Sequence, residues 1–152
     1  MQELQNKVIQ WAEDKGIFAK SDPTSQFLKT ISEVGELADA VNKNDLPEIK
    51  DAIGDITVTL ILHAEMTDSE LELDVDECVG YENPKEAVLY LLQELCKIVD
   101  YEEYGATIEA LDAIASYYGW ALQECLQSAY DVISKRTGKM QNGVFVKDEK
   151  NG

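Results

Sequence analysis

The stretch from Leu28 to Leu60 constrains the fold of this chain more than any other part of its sequence. It divides into two segments, separated by the polar run 44–47, and apolar residues recur three and four apart in each. That spacing is typical of helices with one buried face, and an Asp followed by an early proline is typical of a helix start. The sequence therefore predicts two helices that pack antiparallel across a short turn. The predicted buried stripes are Phe27, Ile31, Val34, Ala38 and Val41 on the first helix, and Ile49, Ile53, Ile56 and Leu60 on the second.

Carboxylates accompany both stripes. Glu33 and Glu36 are three residues apart, so about 60° separates them around the helix axis. On the second helix Glu48, Asp51 and Asp55 share one edge, and in an antiparallel hairpin the two sets can face one another. Converging carboxylates raise one another's pKa unless a cation neutralises them, and oxygen ligands suit Mg²⁺ or Mn²⁺. The pattern indicates a metal site, with the solvated faces of two amphipathic helices as the alternative.

Two motifs in this stretch resemble those of a known family. S-E-V-G-E-L-A-D-A-V at 32–41, followed by D-A-I-G-D-I at 51–56, is similar to the MazG-like all-α nucleoside triphosphate pyrophosphohydrolases. Their pattern is an E-E-x-x-E helix followed by a second helix with E-x-x-D. The resemblance covers residues 1–66 and resumes at 122–147, where R-T-G-K-M-Q-N-G-V-F-V-K is similar to phage-borne members.

The resemblance implies which acids form the site. It places catalytic metal ligands at Glu33, Glu36 and Asp55. Two positions depart from the family pattern, because Ser32 and Ala52 stand where glutamates are usual. Asp51 precedes Ala52 by one residue and lies within about 40° of Asp55 around the helix. We therefore expect Asp51 to replace the missing metal ligand, directly or through water, with Glu48 completing an acidic edge.

The activity implied by the resemblance is Mg²⁺-dependent hydrolysis of a nucleoside or deoxynucleoside triphosphate to the monophosphate and pyrophosphate, with Mn²⁺ as the other candidate ion. The sequence offers no G-x-S-x-G nucleophile and no glycine-rich phosphate loop, and metal-assisted attack by water requires neither. A catalytically degenerate relative that binds nucleotide or a protein partner is one alternative, motivated by Ser32 and Ala52. A helical interaction module is the other.

One basic cluster lies near the predicted end of the last helix. Lys135, Arg136 and Lys139 form it, and the family places a Lys/Arg pair in this region to bind phosphate. Cations that complement the carboxyl end of a helix are the alternative interpretation. Trp11 and Trp120 are expected to pack in the core rather than to stack on a base.

The second half of the chain predicts further helices at 84–100, 106–118 and 121–136, after an acidic connector at 67–83. A turn sequence near 141–144 predicts a short C-terminal β-ribbon. The predicted buried residues include Val88, Leu91, Leu92, Leu95 and Val99 on the first of these helices and Val132 on the last.

These elements predict one all-α domain over 1–152, an antiparallel bundle with a carboxylate half (1–66), a second helical half (84–138) and a tail (139–152). D-A-I-G-D at 51–55 is echoed by D-A-I-A-S at 112–116. A degenerate internal duplication is one explanation of the echo, and chance similarity between helical sequences is the other.

Composition narrows the choice of partners and compartment. The formal net charge of −17 argues against binding to a nucleic acid polymer, and no apolar run approaches the length of a membrane span. The cysteines at 78, 96 and 125 have no C-x-x-C spacing, which indicates reduced thiols. We expect a protein of the cytoplasm in a bacterial or phage-infected cell, as a monomer or a homodimer, with a nucleoside triphosphate as its partner.

Overall fold

The fold is a bundle of helices closed at one side by a two-stranded ribbon. A computed structural model describes residues 1–77 and 80–149; Cys78, expected to be a reduced thiol, and residues 150–152 of the expected tail lie outside that range. The elements are α1 (Gln2–Asp14), α2 (Ile17–Lys20), α3 (Pro23–Lys43), α4 (Leu46–Thr67), α5 (Pro84–Tyr101), α6 (Gly105–Tyr117), α7 (Leu122–Ile133), β1 (Gly138–Gln141) and β2 (Val144–Lys147). The predicted all-α class with a C-terminal ribbon is confirmed.

Local capping chemistry sets the bounds of the α3–α4 hairpin. The side chain of Asp22 accepts a hydrogen bond from the backbone N–H of Ser25 at the start of α3, and that of Asp45 accepts one from Glu48 at the start of α4. A proline occupies the first turn of each helix. Asn44 adopts the left-handed conformation (φ 53°) that ends α3, so the chain reverses within two residues. The predicted antiparallel hairpin is therefore present.

The core is built around α4. Its residues from Ile56 to Ala64 are all buried, and α4 packs against α1, α3, α6 and α7. A hydrogen bond of 2.8 Å joins the hydroxyls of Thr30 on α3 and Thr59 on α4. The α5–α6 pair completes the bundle, with α5 packed against α3. An internal duplication stays one of two explanations for the sequence echo between 51–55 and 112–116, with chance similarity as the other.

Helix α7 crosses α4 at a glycine. A Cβ atom added to Gly54 would overlap the carbonyl oxygen of Cys125 and crowd the side chain of Ala129. Only a residue without a side chain allows the two backbones to approach this closely. The position of α7, and of the residues that follow it, is set by this contact.

The C-terminal ribbon is an antiparallel hairpin. Gln141 pairs with Val144, and Asn142 and Gly143 both have positive φ in the two-residue loop between them. This is the turn chemistry that the sequence predicts. Strand β2 packs against α2, which is a single helical turn.

Several residues predicted to be buried are exposed. They are Ile31 on α3, Leu92 and Val99 on α5, and Val132 on α7. On α3 the buried face is rotated toward Thr30, Glu33 and Leu37, because that is the face covered by α4. The prediction was wrong where a helix carries apolar residues on two faces, since periodicity does not show which face meets a neighbour.

Candidate functional site

A cavity of about 200 Å³ opens between the α3–α4 hairpin and the C-terminal segment. Four of the predicted acids line it, two from each arm of the hairpin: Glu33, Glu36, Asp51 and Asp55. The other polar and charged residues around it are Gln26, Lys29, Thr59, Arg136 and Lys147, and the apolar ones include Trp11, Ile17, Val58, Ile133 and Phe145. The predicted convergence of carboxylates from both helices is therefore present at one cavity.

On α3 the two glutamates differ in environment. Glu33 is buried, with 4% of its surface exposed, and its Oε1 atom lies 2.6 Å from the Nζ of Lys29 one turn earlier. Its other oxygen, Oε2, is buried and finds no hydrogen-bond partner among the residues that the structure describes. Glu36 lies nearer to solvent, and desolvation together with the charge of Glu33 raises its pKa above the ordinary value. This arm holds one carboxylate oxygen that is desolvated and free to bind a ligand.

On α4 the two aspartates are half-buried and share one side of the helix. The pKa of Asp55 is raised to about 7, mainly by burial and then by the carboxylates of Asp51 and Glu33, while Arg136 and Lys29 act in the opposite direction. A carboxyl group in this position gains a proton near neutral pH unless a cation replaces that proton. The electrostatics of the cavity therefore favour cation binding.

The three residues of the predicted basic cluster do not lie together at the cavity. Arg136 lines the cavity, just beyond the end of α7. Lys135 is exposed and lines a different surface depression, and Lys139 is exposed on β1 outside the cavity. Lys29 and Lys147, which the sequence analysis did not select, contribute cations instead. The spacing of Lys29 and Glu33, one helical turn apart, is the signal that would have found the first of them.

The ribbon and the first helix supply an aromatic wall. Trp11 is partly buried and packs against the core as expected, and it also lines the cavity. Its ring meets that of Phe145 edge-on at 6.2 Å between centroids. The indole Nε1–H is buried and has no acceptor within residues 1–77 and 80–149. Trp120 lies away from the cavity, stacked on Tyr118. The cavity is thus acidic on the hairpin side and aromatic on the ribbon side.

Neither of the two positions that depart from the family pattern, Ser32 and Ala52, lies at the cavity. Ser32 is exposed, and Ala52 is buried at 4% exposure, outside the cavity lining. Asp51 lines the cavity whereas Glu48 is exposed in a separate groove. Of the acids near position 52 on α4, Asp51 and Asp55 are the ones available to a ligand.

The donor set fits a hard divalent cation that brings its own additional ligands. Across the described residues, no three His, Cys, Asp or Glu side chains are close enough together to form a complete ion site. Lys29 pairs with only one oxygen of Glu33, and the other oxygen is buried and unpartnered in the described part of the chain. The raised pKa of Asp55 likewise favours a further cation beside Lys29 and Arg136. Mg²⁺ commonly takes one or two carboxylates and completes its shell with water and phosphate oxygens. The four acids fit such an ion.

The hairpin that carries the four acids also matches a known family model. Residues 21–85, which include α3 and α4, match the model of the MazG nucleotide pyrophosphohydrolase domain. This match supports the resemblance that the motifs predicted. Arg136 and the ribbon lie outside the matched segment.

A phage protein is similar over part of the chain. It is an uncharacterized 18.2 kDa protein from the rep-hol intergenic region of Haemophilus phage HP1 (strain HP1c1), 42% identical over 74 residues. The match spans 47% of this chain and 45% of that protein, which supports the resemblance to phage-type members. No solved structure gives a significant match. None of the helices in the described part of the chain combines the length and apolarity needed to cross a membrane.

Proposed function

We propose that the chain is a Mg²⁺-dependent nucleoside triphosphate pyrophosphohydrolase, which converts a nucleoside or deoxynucleoside triphosphate to the monophosphate and pyrophosphate. One observation carries the proposal: four acids from both arms of the MazG-like hairpin converge on one cavity, which Arg136 also lines. Mn²⁺ has the same ligand preferences and is the other candidate ion. The proposed setting is the cytoplasm of a bacterial or phage-infected cell.

The acids are proposed to hold the cation. Glu33, Glu36, Asp51 and Asp55 present carboxylate oxygens to the cavity, with Glu33, Glu36 and Asp55 in the catalytic role. When bound, the ion neutralises charge on the triphosphate and makes an attacking water more acidic.

The remaining polar and aromatic residues are proposed to bind and enclose the substrate. Arg136, Lys29 and Lys147 line the same cavity and supply cations for the phosphate oxygens, in place of the wider role expected for Lys135 and Lys139. Trp11 and Phe145 give the cavity an apolar wall that suits a nucleoside and excludes water from the phosphates. The chain supplies binding, orientation and a low-water environment.

A second candidate function is nucleotide binding without turnover. The observation that favours it is Ala52, which stands at a family glutamate position and is buried away from the cavity. Asp51 lies at the cavity instead, and whether it substitutes for that glutamate separates an enzyme from a binding protein.

Pyrophosphate release from a panel of ribonucleoside and deoxynucleoside triphosphates, with Mg²⁺ or with EDTA, tests the proposal. We expect release that requires the metal and yields equal amounts of monophosphate and pyrophosphate. Metal-dependent nucleotide binding with no release would support the non-catalytic relative. Neither binding nor release would favour a helical interaction module and overturn both.

A further inference from the structure

The C-terminal ribbon, residues 138–147, is firmly held together within itself. Its two strands pair at four positions, which is their whole length. Beyond the paired positions the backbone N–H of Asp148 donates to the carbonyl oxygen of Thr137 at 2.9 Å, which closes the end of the ribbon opposite the turn. Hydrogen-bonded units of this kind open and move cooperatively. The ribbon can therefore change position as one body.

The ribbon is held much more loosely to the helices. In the part of the chain that the structure describes, no hydrogen bond and no salt bridge joins the ribbon to a helix. Two of its side chains, Met140 and Phe145, pack against the core, and its tip at Gly143 lies beside Ser25. A segment that rests on its support through van der Waals contact alone needs little free energy to detach.

The same ribbon forms one wall of the acidic cavity. It contributes Val144, Phe145 and Lys147 to the lining, and the ring of Phe145 meets that of Trp11. With the ribbon in this position the cavity measures about 200 Å³. Pockets that hold small molecules usually measure about 300–1,000 Å³, and a nucleoside triphosphate with its cation falls in that range. Such a ligand therefore enters only if a wall moves, and the ribbon is the wall that is held least.

A short connector between α7 and the ribbon is suited to act as the hinge. Residues 134–137 belong to no helix or strand. Segments of this kind absorb the changes in backbone angles when a lid opens. Arg136 lies in the connector and lines the cavity, so movement about the connector also moves its guanidinium relative to the acids.

We propose that the ribbon is a lid on the acidic cavity. It swings out about residues 134–137 to admit a nucleotide, and it closes again with Phe145 against Trp11. Closure brings Lys147 and Arg136 to the phosphates and excludes water from the cavity. The identity of the ligand rests on the proposed function, whereas the opening of the ribbon does not and is measurable without substrate.

The reactivity of a thiol inside the cavity measures the opening. Val58 lines the cavity and is 6% exposed, so a thiol introduced by Val58→Cys should react with a small disulfide reagent mainly when the ribbon lifts. Cys78→Ser and Cys96→Ser remove two further thiols. The native Cys125 is fully buried on α7, and its labelling in the same molecule reports wider unfolding.

We expect Phe145→Ala to speed labelling at position 58 by about tenfold or more, because the substitution removes the contact between the ribbon and Trp11. Labelling of Cys125 should stay unchanged. Val146→Ala is the matched control, because Val146 lies on the same strand, is 41% exposed and does not line the cavity. The lid is overturned if Phe145→Ala leaves labelling at position 58 unchanged, speeds both thiols equally, or acts no more strongly than Val146→Ala.

A disulfide at the tip of the ribbon tests whether substrate needs the open lid. A Cβ atom added to Gly143 would lie 3.4 Å from the Oγ of Ser25, so cysteines at the two positions are close enough to bridge. In the variant Ser25→Cys/Gly143→Cys, with Cys78 and Cys96 again replaced by serine, oxidation should lower pyrophosphate release by about tenfold or more, because the lid is then locked shut. Reduction should restore the release, so each sample is its own control, and circular dichroism checks that the reduced form is folded.

The two experiments separate failure of the lid from failure of the proposed function. Undiminished release from the oxidised variant would overturn the lid. If neither that variant nor the natural chain released pyrophosphate, the proposed function would fail, and the labelling rates would still decide whether the ribbon opens.

Discussion

The Nζ of Lys29 lies 2.6 Å from the Oε1 of Glu33, so the buried carboxylate of the cavity has a cation one helical turn away. Lys43 and Asp39 form a pair with the same spacing and the same distance at the other end of α3, but there both side chains are exposed. The same kind of ion pair therefore occurs twice on α3, once with a buried carboxylate and once fully at the surface.

We expect Lys29→Gln to destabilise the metal-free protein by about 1 to 3 kcal/mol, because it leaves the buried Glu33 carboxylate without its countercharge. Lys43→Gln should cost less than about 1 kcal/mol, as exposed pairs do. Urea unfolding in EDTA measures both. Equal effects of the two substitutions would show that the cavity does not isolate Glu33 from solvent.

We expect Glu33→Gln and Asp55→Asn each to lower pyrophosphate release by more than about 100-fold while the fold is kept, because loss of a direct ligand should exceed the 10- to 100-fold cost of losing an outer partner. Asp39→Asn removes one negative charge from α3 outside the cavity and serves as the control. Activity retained in both cavity variants would rule out the proposed ligands.

We expect MgCl₂ to raise the melting temperature more than NaCl at equal ionic strength, since an ion that binds only the folded chain stabilises it by mass action. The matched NaCl is needed because any salt screens the repulsion within a chain of net charge −17, and this effect alone changes the melting temperature. Asp55→Asn should lose the difference between the two salts. If the melting temperature of Asp55→Asn rose as much in MgCl₂ as that of the natural chain, the ion would bind at a site other than the cavity.

The metal-free protein should lose stability as the pH rises through the range set by Asp55. The pKa of this carboxyl is about 7 in the folded chain against an ordinary 3.8, so the folded state binds the proton more tightly. The free energy of unfolding should then fall between about pH 4 and about pH 7 and level off above pH 7. The total loss should be about 1.4 kcal/mol for each unit by which the two pKa values differ.

Urea unfolding in EDTA at about pH 5 and about pH 8 measures this slope. Asp55→Asn cannot ionise, so that variant should be more stable than the natural chain at the higher pH and show a smaller change between the two. An unchanged pH dependence in Asp55→Asn would assign the slope to other groups.

Asp51 is expected to act in place of the family glutamate that Ala52 lacks. Asp51→Ala should lower Mg²⁺-dependent turnover by about tenfold or more, by loss of a carboxylate at the cavity. Glu48→Ala, an exposed acid on the same helix outside the cavity, should leave it near the natural level. A silent Asp51→Ala would favour the non-catalytic relative.

The α3–α4 hairpin was predictable because its signals are local. Asp22 and Asp45 cap helices exactly where their sequence neighbours indicate, and the carboxylates follow from the helical period. The burial of Glu33 was not predictable, because it depends on a rotation of α3 that α4 imposes. Local chemistry therefore determined the element bounds, and packing between elements determined which faces are inside.

The rest of the site required contacts between distant parts of the chain. Arg136 lines the same cavity as Asp55 because α7 packs on α4. Phe145 meets Trp11 because the ribbon folds back over the first helices. Neither pair has a spacing that a sequence pattern could display. The same reason accounts for the misplaced Leu92 and Val99, since α5 has two apolar faces and only the assembled bundle shows which one is covered.

The close approach of α4 and α7 at Gly54 has a consequence for how mutations in this protein are interpreted. Gly54 precedes Asp55, and the helix that it admits ends just before Arg136. A methyl group at Gly54 would push the two helices apart and move the guanidinium away from the acids, with every functional group of the cavity still present. A mutational scan scored by activity alone would therefore class Gly54 with the acids proposed to be catalytic, although it has no side chain with which to bind or react.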